Sequence, residues 1–164
     1  MPSNELNNCL PPIRLVMNSS RTERTALGKQ ILLVEDHPDS AEAIRLILET
    51  EGYQVRWAKT AKDALQALSG SVSLDSPASP DLILLDLMLP DMDGVQMIQQ
   101  LITAGRDLPP IIIASAKPSQ AVASAARAIG AAGVVRKPFS LDELLGCVAA
   151  ALSGKAVRKR ESGK

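Results

Sequence analysis

The stretch PDLILLDLMLPDMDG, from Pro80 to Gly94, runs apolar through Leu82–Leu85, meets an acid at Asp86 and breaks at Pro90. A short apolar run bounded by turn signals is the pattern of a strand covered on both faces, as in a parallel sheet. An ionised carboxylate at the end of such a strand is costly to desolvate, so its presence needs a chemical reason. That reason lies in what the rest of the chain brings to the same place.

On either side of this strand, apolar runs alternate with helical patterns. QILLVED, from Gln30, reads as a first buried strand, and PDSAEAIRLILETEG as a helix with Ala41, Ile44, Ile47 and Leu48 on one face and Gly52 ending it. YQVRWA alternates like a strand with a more exposed face. TAKDALQALSG opens on the capping pattern Thr60 to Asp63 and stops at Gly70. SVSLDSPASP is a long connecting loop. After the third strand, GVQMIQQLITAG is a helix with Val95, Ile98, Leu101 and Ile102 at helical spacing. PPIIIAS is a fourth strand, SQAVASAARAIG an Ala-rich helix only weakly apolar on any face, and GVVRK a very short fifth strand. SLDELLGCVAAAL closes the series with a capping box, Ser140 to Glu143. Strands alternating with helices imply right-handed β-α-β crossovers. The expected fold is therefore α/β, a doubly wound five-stranded parallel sheet of flavodoxin-like order 2-1-3-4-5, flanked by five helices.

Composition bounds the function. The chain has 164 residues, room for one domain, with 46% hydrophobic but only 2% aromatic residues, so its core is aliphatic. Eighteen basic and eighteen acidic residues cancel, which gives no electrostatic case for binding DNA or a membrane surface. Cys9 and Cys147 form neither a disulfide framework nor a metal-ligand spacing. CLPPIRLVM is too short, and too broken by proline and Arg14, for a signal peptide or a membrane span, so the expected location is the cytoplasm. Residues 1–28 read as a flexible N-terminal arm, 29–153 as the domain, and 154–164 as a basic, solvated C-terminal tail.

A doubly wound sheet binds ligands at the carboxyl ends of its strands. Glu35 and Asp36 end the first strand, Asp86 the third, Ser115 the fourth and Lys137 the fifth. Three carboxylates in one crevice repel one another unless a cation sits among them. Oxygen-only ligands with room for water and a phosphate suit Mg²⁺. A metal held by Glu35, Asp36 and Asp86 leaves one Asp86 oxygen free as a nucleophile. Lys137 can pair with phosphoryl oxygens and Ser115 can donate to one. The residue types fit phosphoryl transfer onto Asp86.

The pattern VED, LLDLMLPDMDG, ASA and KPF, in that order at the matching strand ends, resembles the receiver domain of two-component response regulators, of the single-domain, chemotaxis-regulator type. The resemblance covers Gln30 to Leu152. It implies that Asp86 accepts a phosphoryl group from a sensor histidine kinase or histidine phosphotransfer protein. It further implies that Asp36 binds Mg²⁺ directly, Glu35 largely through water, and the Met88 backbone carbonyl completes the protein ligands. Ser115 would swing toward the phosphoryl group, Lys137 would bridge to it, and the Lys137–Pro138 peptide would be cis. The protein would catalyse only its own phosphorylation and dephosphorylation. With no output domain expected in either tail, a downstream protein target would read the phosphorylated state, with homodimerisation compatible with this scheme.

Other conspicuous residues have plainer readings. Asp91 and Asp93 read as capping residues of a turn entering a helix, and His37 as an exposed loop residue. Where many receivers carry an aromatic three residues before the lysine, this chain has Val134, which suits a short buried strand but cannot swap a ring between two states. Glu35 stands where an aspartate is commoner. A degenerate receiver serving as a phosphorylation-independent interaction module is the alternative, opposed by full retention of the acidic, hydroxyl and lysine positions. An aspartate-nucleophile phosphatase would need a leaving-group acid and a cap, and neither is evident.

Overall fold

The computed structural model describes residues 28–70 and 79–154. The expected N-terminal arm, most of the loop after Gly70, Cys9 and the basic tail lie outside the described residues. Five strands, β1 (Gln30–Val34), β2 (Gln54–Ala58), β3 (Leu82–Leu85), β4 (Ile111–Ser115) and β5 (Gly133–Arg136), alternate with five helices. These are α1 (Pro38–Thr50), α2 (Ala61–Ser69), α3 (Gly94–Thr103), α4 (Ser119–Ile129) and α5 (Leu141–Leu152). The sheet is parallel throughout, in the order β2-β1-β3-β4-β5.

Side chains alternate across a strand, so each central strand feeds two cores. Ile31, Leu33, Leu84 and Ile112 face α1 and α5, meeting Ile44, Leu48, Leu144 and Val148. Leu32, Val34, Ile83, Leu85 and Ile113 face the other way, onto Met97 and Ile98 of α3 and Val122 of α4. That two-sided demand explains why β1, β3 and β4 read as continuous apolar runs while the edge strands do not. Both capping patterns form: Thr60 Oγ1 accepts from Asp63 N at 3.0 Å. Ser140 Oγ accepts from Glu143 N at 3.2 Å while Glu143 Oε2 accepts from Ser140 N at 2.9 Å. Gly52 has φ of +92°, the left-handed conformation that lets the chain reverse from α1 into β2.

Three local expectations shift. In α3 it is Met97, with Ile98 and Leu101, that is buried, whereas Ile102 is 49% exposed. The buried set Gly94, Met97, Ile98 and Leu101 follows i, i+3, i+4 and i+7, so the helix is rolled to turn Met97 inward and Ile102 outward. Helix α4, despite its weakly apolar composition, buries a stripe of Val122, Ala125 and Ile129. Val134 is not a buried strand residue: β5 is an edge strand that turns Gly133 and Val135 inward and leaves Val134 38% exposed.

Leu84 is fully buried in the central strand. Leu84→Ala is expected to lower the free energy of unfolding by about 2–5 kcal/mol, the range for a large-to-small core change, measured by urea denaturation. A smaller loss would mean that the two cores collapse around the cavity more freely than their packing suggests.

Candidate functional site

Regular pairing stops at Val34, Leu85 and Arg136, so Glu35, Asp36, Asp86 and Lys137 are the first residues past their strands. Sheet-like bonds continue through them. Glu35 N donates to Ala58 O at 3.1 Å, Asp86 N to Val34 O at 2.9 Å, and Lys137 N to Ser115 O at 3.0 Å. The backbones that carry the site are thereby fixed to the sheet, and only the side chains retain freedom. Gly94 seals one side: a Cβ there would stand 2.9 Å from the Asp86 carbonyl oxygen, closer than real Cβ contacts allow, and a tight 3.1 Å from Leu87 Cα.

The structure gathers the charged residues named from sequence. Lys137 Nζ donates to Glu35 Oε2 and, at 3.0 Å, to Asp86 Oδ2. Glu35 is 1% exposed and Asp86 8%. Glu35 Oε1 accepts from His37 N at 3.1 Å, and Asp86 Oδ1 from Met88 N at 3.0 Å. Burial pushes the Glu35 carboxyl above its ordinary range, and the bonds from Lys137 and His37 only partly oppose that. Burial would by itself lower the Lys137 pKa, but its bonds to Glu35 and Asp86 outweigh this and raise it. Lys137 therefore keeps its proton.

One carboxylate oxygen each from Glu35, Asp36 and Asp86 lies within 4.8 Å of the others. All three donors are oxygen, and Asp36 is exposed at the mouth of a depression that Met88 and Ala116 also line. This donor set fits a hard divalent cation with water completing its shell, as Mg²⁺ requires. The Met88 backbone is tied to Asp86 through its amide, while the residue is 56% exposed. Ser115 differs from the others. Its side chain is wholly buried at the end of β4, and its Oγ accepts from Lys117 N at 3.2 Å, turned into its own loop. The Lys137–Pro138 peptide is cis, and His37 is exposed.

Several contributors carry no pattern in the sequence. Asp93 caps α3 by accepting from Val95 N at 2.8 Å, as expected, but its other oxygen holds Lys117 Nζ at 2.9 Å. Asp91 caps a different helix: its two oxygens accept from Ala61 N and Lys62 N of α2, both at 3.0 Å. The β3–α3 loop beside Asp86 is thus anchored to α2 across the sheet end. The Trp57 indole donates to the Glu35 carbonyl at 2.8 Å, from a strand with no charged site residue.

Residues 31–149 match the response regulator receiver domain family. The chain belongs to that family. The receiver is 36% identical over 122 residues to the transcriptional regulatory protein KdpE of Mycobacterium tuberculosis, a match covering 74% of this chain and 50% of the relative. It is 34% identical over 116 residues to the response regulator MprA of Mycolicibacterium vanbaalenii, covering 71% and 47%. The chain thus spans about half the length of these curated relatives. Among solved structures, a CheY-like response regulator receiver domain protein from Methanospirillum hungatei superposes with a TM-score of 0.65 at 26% identity, covering 77% of this chain and 95% of that one. The receiver domain of Francisella response regulator 1452 gives 0.67 at 25% identity, covering 77% and 98%.

Bonds to the α2 amides, first that of Ala61, hold the Asp91 carboxyl below its ordinary pKa. A carboxylate with a depressed folded pKa adds stability above its unfolded pKa and loses it as pH falls through the folded value. Asp91→Ala is therefore expected to cost about 1 kcal/mol near neutrality, as for a lost helix cap. The gap to wild type should close in acid, read from urea midpoints across a pH series. A gap that persists undiminished in acid would rule out the carboxylate as the cap.

Proposed function

We propose that this receiver takes a phosphoryl group from the phosphohistidine of a sensor kinase or phosphotransfer protein onto Asp86 and signals through protein contacts. The observation that carries this reading is the convergence of Glu35, Asp36 and Asp86 on one small volume, with Lys137 bonded across it. In the transfer, one Asp86 oxygen forms a bond to phosphorus as the phosphorus–nitrogen bond breaks, and the imidazole nitrogen leaves with the electron pair. Glu35, Asp36, Asp86 and the Met88 carbonyl would hold Mg²⁺. The ion supplies positive charge that lets a phosphoryl group approach three carboxylates and that stabilises the equatorial oxygens of the transition state.

The chain's own residues supply the rest. The Met88 amide orients the Asp86 carboxylate, and the sheet bonds hold its backbone still while the donor approaches. Lys137, protonated and only partly exposed, exchanges its carboxylate contacts for phosphoryl oxygens. Ser115 gives up the Lys117 amide and donates to the phosphoryl group, drawing the β4–α4 loop with it. Water attack on phosphorus would reverse the modification, so catalysis is confined to the protein's own phosphorylation state. One relative is named a transcriptional regulatory protein, but the match spans half of it, so what carries over is the receiver role. The balanced charge supports contacts with a protein target rather than with DNA. The cytoplasm is the proposed location, and no helix among the described residues is long and apolar enough to cross a membrane.

Incubation with phosphorylated histidine kinases and Mg²⁺ should label wild type and leave Asp86→Asn unlabelled. Equal labelling of both would move the acceptor elsewhere. Trp57, the only tryptophan, is bonded to the Glu35 carbonyl, so its fluorescence should respond saturably to Mg²⁺. That response should weaken at least tenfold in affinity when Asp36→Ala removes a ligand, a loss of about 1.4 kcal/mol or more. With Mg²⁺ present to offset the two carboxylates, Lys137→Ala is expected to fold at lower stability and still accept phosphate, while the spectral change that follows phosphorylation in wild type disappears. An undiminished change in that variant would remove Lys137 from the coupling.

A further inference from the structure

The loop between β4 and α4, Ala116 to Pro118, is fastened on two sides. On one side Lys117 Nζ is held by Asp93 Oδ2 at 2.9 Å. Asp93 is itself immobilised, because its other oxygen caps α3. On the other side Arg136 reaches across from β5, donating to Ser119 Oγ at the start of α4 and making a longer contact, 3.5 Å, with the Lys117 carbonyl. A third bond, from Lys117 N to Ser115 Oγ, turns the hydroxyl of Ser115 into this fastened loop.

The two fastenings differ in kind. Asp93 belongs to a capped helix end with little freedom. Arg136 is an exposed side chain on a four-residue edge strand, and its nearer partner Ser119 is exposed as well. Val134, its neighbour on the same face, carries no ring that could report the state of the loop. Arg136 also directly precedes Lys137, so one short strand sends one cation to the loop and the next to Asp86. Exposed contacts of this type shift an equilibrium by only about two- to fivefold, weak enough for a phosphoryl group of charge near −2 to overcome.

We propose that Arg136 is a positioning residue that fastens the β4–α4 loop in its resting arrangement and is released from Ser119 when Ser115 moves onto the phosphoryl group. In this chain the Arg136–Ser119 contact, in place of an aromatic ring, couples the state of Asp86 to the α4–β5 surface. The proposal rests on the phosphoacceptor reading of Asp86. The fastening exists only in the resting state, so removing it favours the active state and tightens binding of any ligand selective for that state.

The test is titration with beryllofluoride, a phosphoryl mimic, in the presence of saturating Mg²⁺, on the full chain labelled with ¹⁵N-arginine. In wild type the Arg136 side-chain Nε signal should move toward that of a free guanidinium as the mimic binds. R136A should bind beryllofluoride about two- to fivefold more tightly than wild type, with Mg²⁺ affinity from Trp57 fluorescence unchanged. R136K, which keeps the charge but cannot span both acceptors, should fall between. The double variant R136A/S119A should bind no more tightly than R136A alone, because both changes remove one contact. Unchanged or weaker binding in R136A, additive effects in the double variant, or a stationary Arg136 signal would each overturn the proposal while leaving Asp86 as acceptor. No saturable response in wild type, matched by Asp86→Asn, would instead overturn the phosphoacceptor reading itself.

Discussion

The ammonium of Lys137 bridging two nearly buried carboxylates is the interaction on which the rest of the site depends. Glu35 and Asp86 sit side by side at the ends of adjacent strands, where neither can be fully solvated. Two such anions destabilise the fold unless a cation lies between them, and neutralising Asp86 by protonation would remove the proposed nucleophile. Lys137 answers this from 102 residues beyond Glu35 in the chain. It can do so only after β5 has paired with β4 and β4 with β3. The site is therefore not an ornament on a finished sheet. It forms when the sheet order closes, and a lysine that holds the anions together at rest is the same group that is available to a phosphoryl group later.

How much of this was legible follows from which forces are local. Strand and helix positions depend on side-chain period, which is written in adjacent residues, and the alternation from Gln30 to Leu152 predicts every element, while the sheet order is the common flavodoxin-like one. The site charges were readable for a related reason: an acid or a lysine just past an apolar strand has few purely structural uses. The misread details depend on neighbours that one segment does not specify. Met97 rather than Ile102 faces inward because of how α3 rolls against the sheet. The expected strand order already puts β5 at an edge, but GVVRK alone does not say that Val134 lies on its solvent face. Asp91 and Trp57 make their bonds to other elements, 30 and 22 residues away, and their types alone gave no hint of the partner.

These long-range bonds divide the site into a stiff half and a compliant half. The Glu35 and Asp86 amides are engaged by the sheet, Asp91 ties the adjoining loop to α2, and Gly94 leaves no space against the Asp86 carbonyl. Movement there would disturb the proposed metal ligands and the proposed nucleophile together, and a site proposed to align three oxygens with an incoming phosphorus gains from rigidity. The opposite wall, formed by the β4–α4 loop, is held by side chains rather than by the ladder: Lys117 to Asp93, Arg136 to Ser119, and an amide to the Ser115 hydroxyl.

That division assigns chemistry and signalling to different halves of one crevice. On the proposed phosphoacceptor reading, charge added at Asp86 would not shift the stiff half without breaking sheet bonds, and its effect would fall on the wall whose contacts are individually weak. Helix α4 lies directly behind that wall, and its buried stripe is Val122, Ala125 and Ile129. With only three residues in that stripe, few large side chains interlock α4 with the sheet, and little dispersion energy opposes its sliding. The short buried stripe of α4 thus serves the same end as the exposed fastening at Arg136. Both would leave the part proposed to move loosely held beside a part that is not free to move.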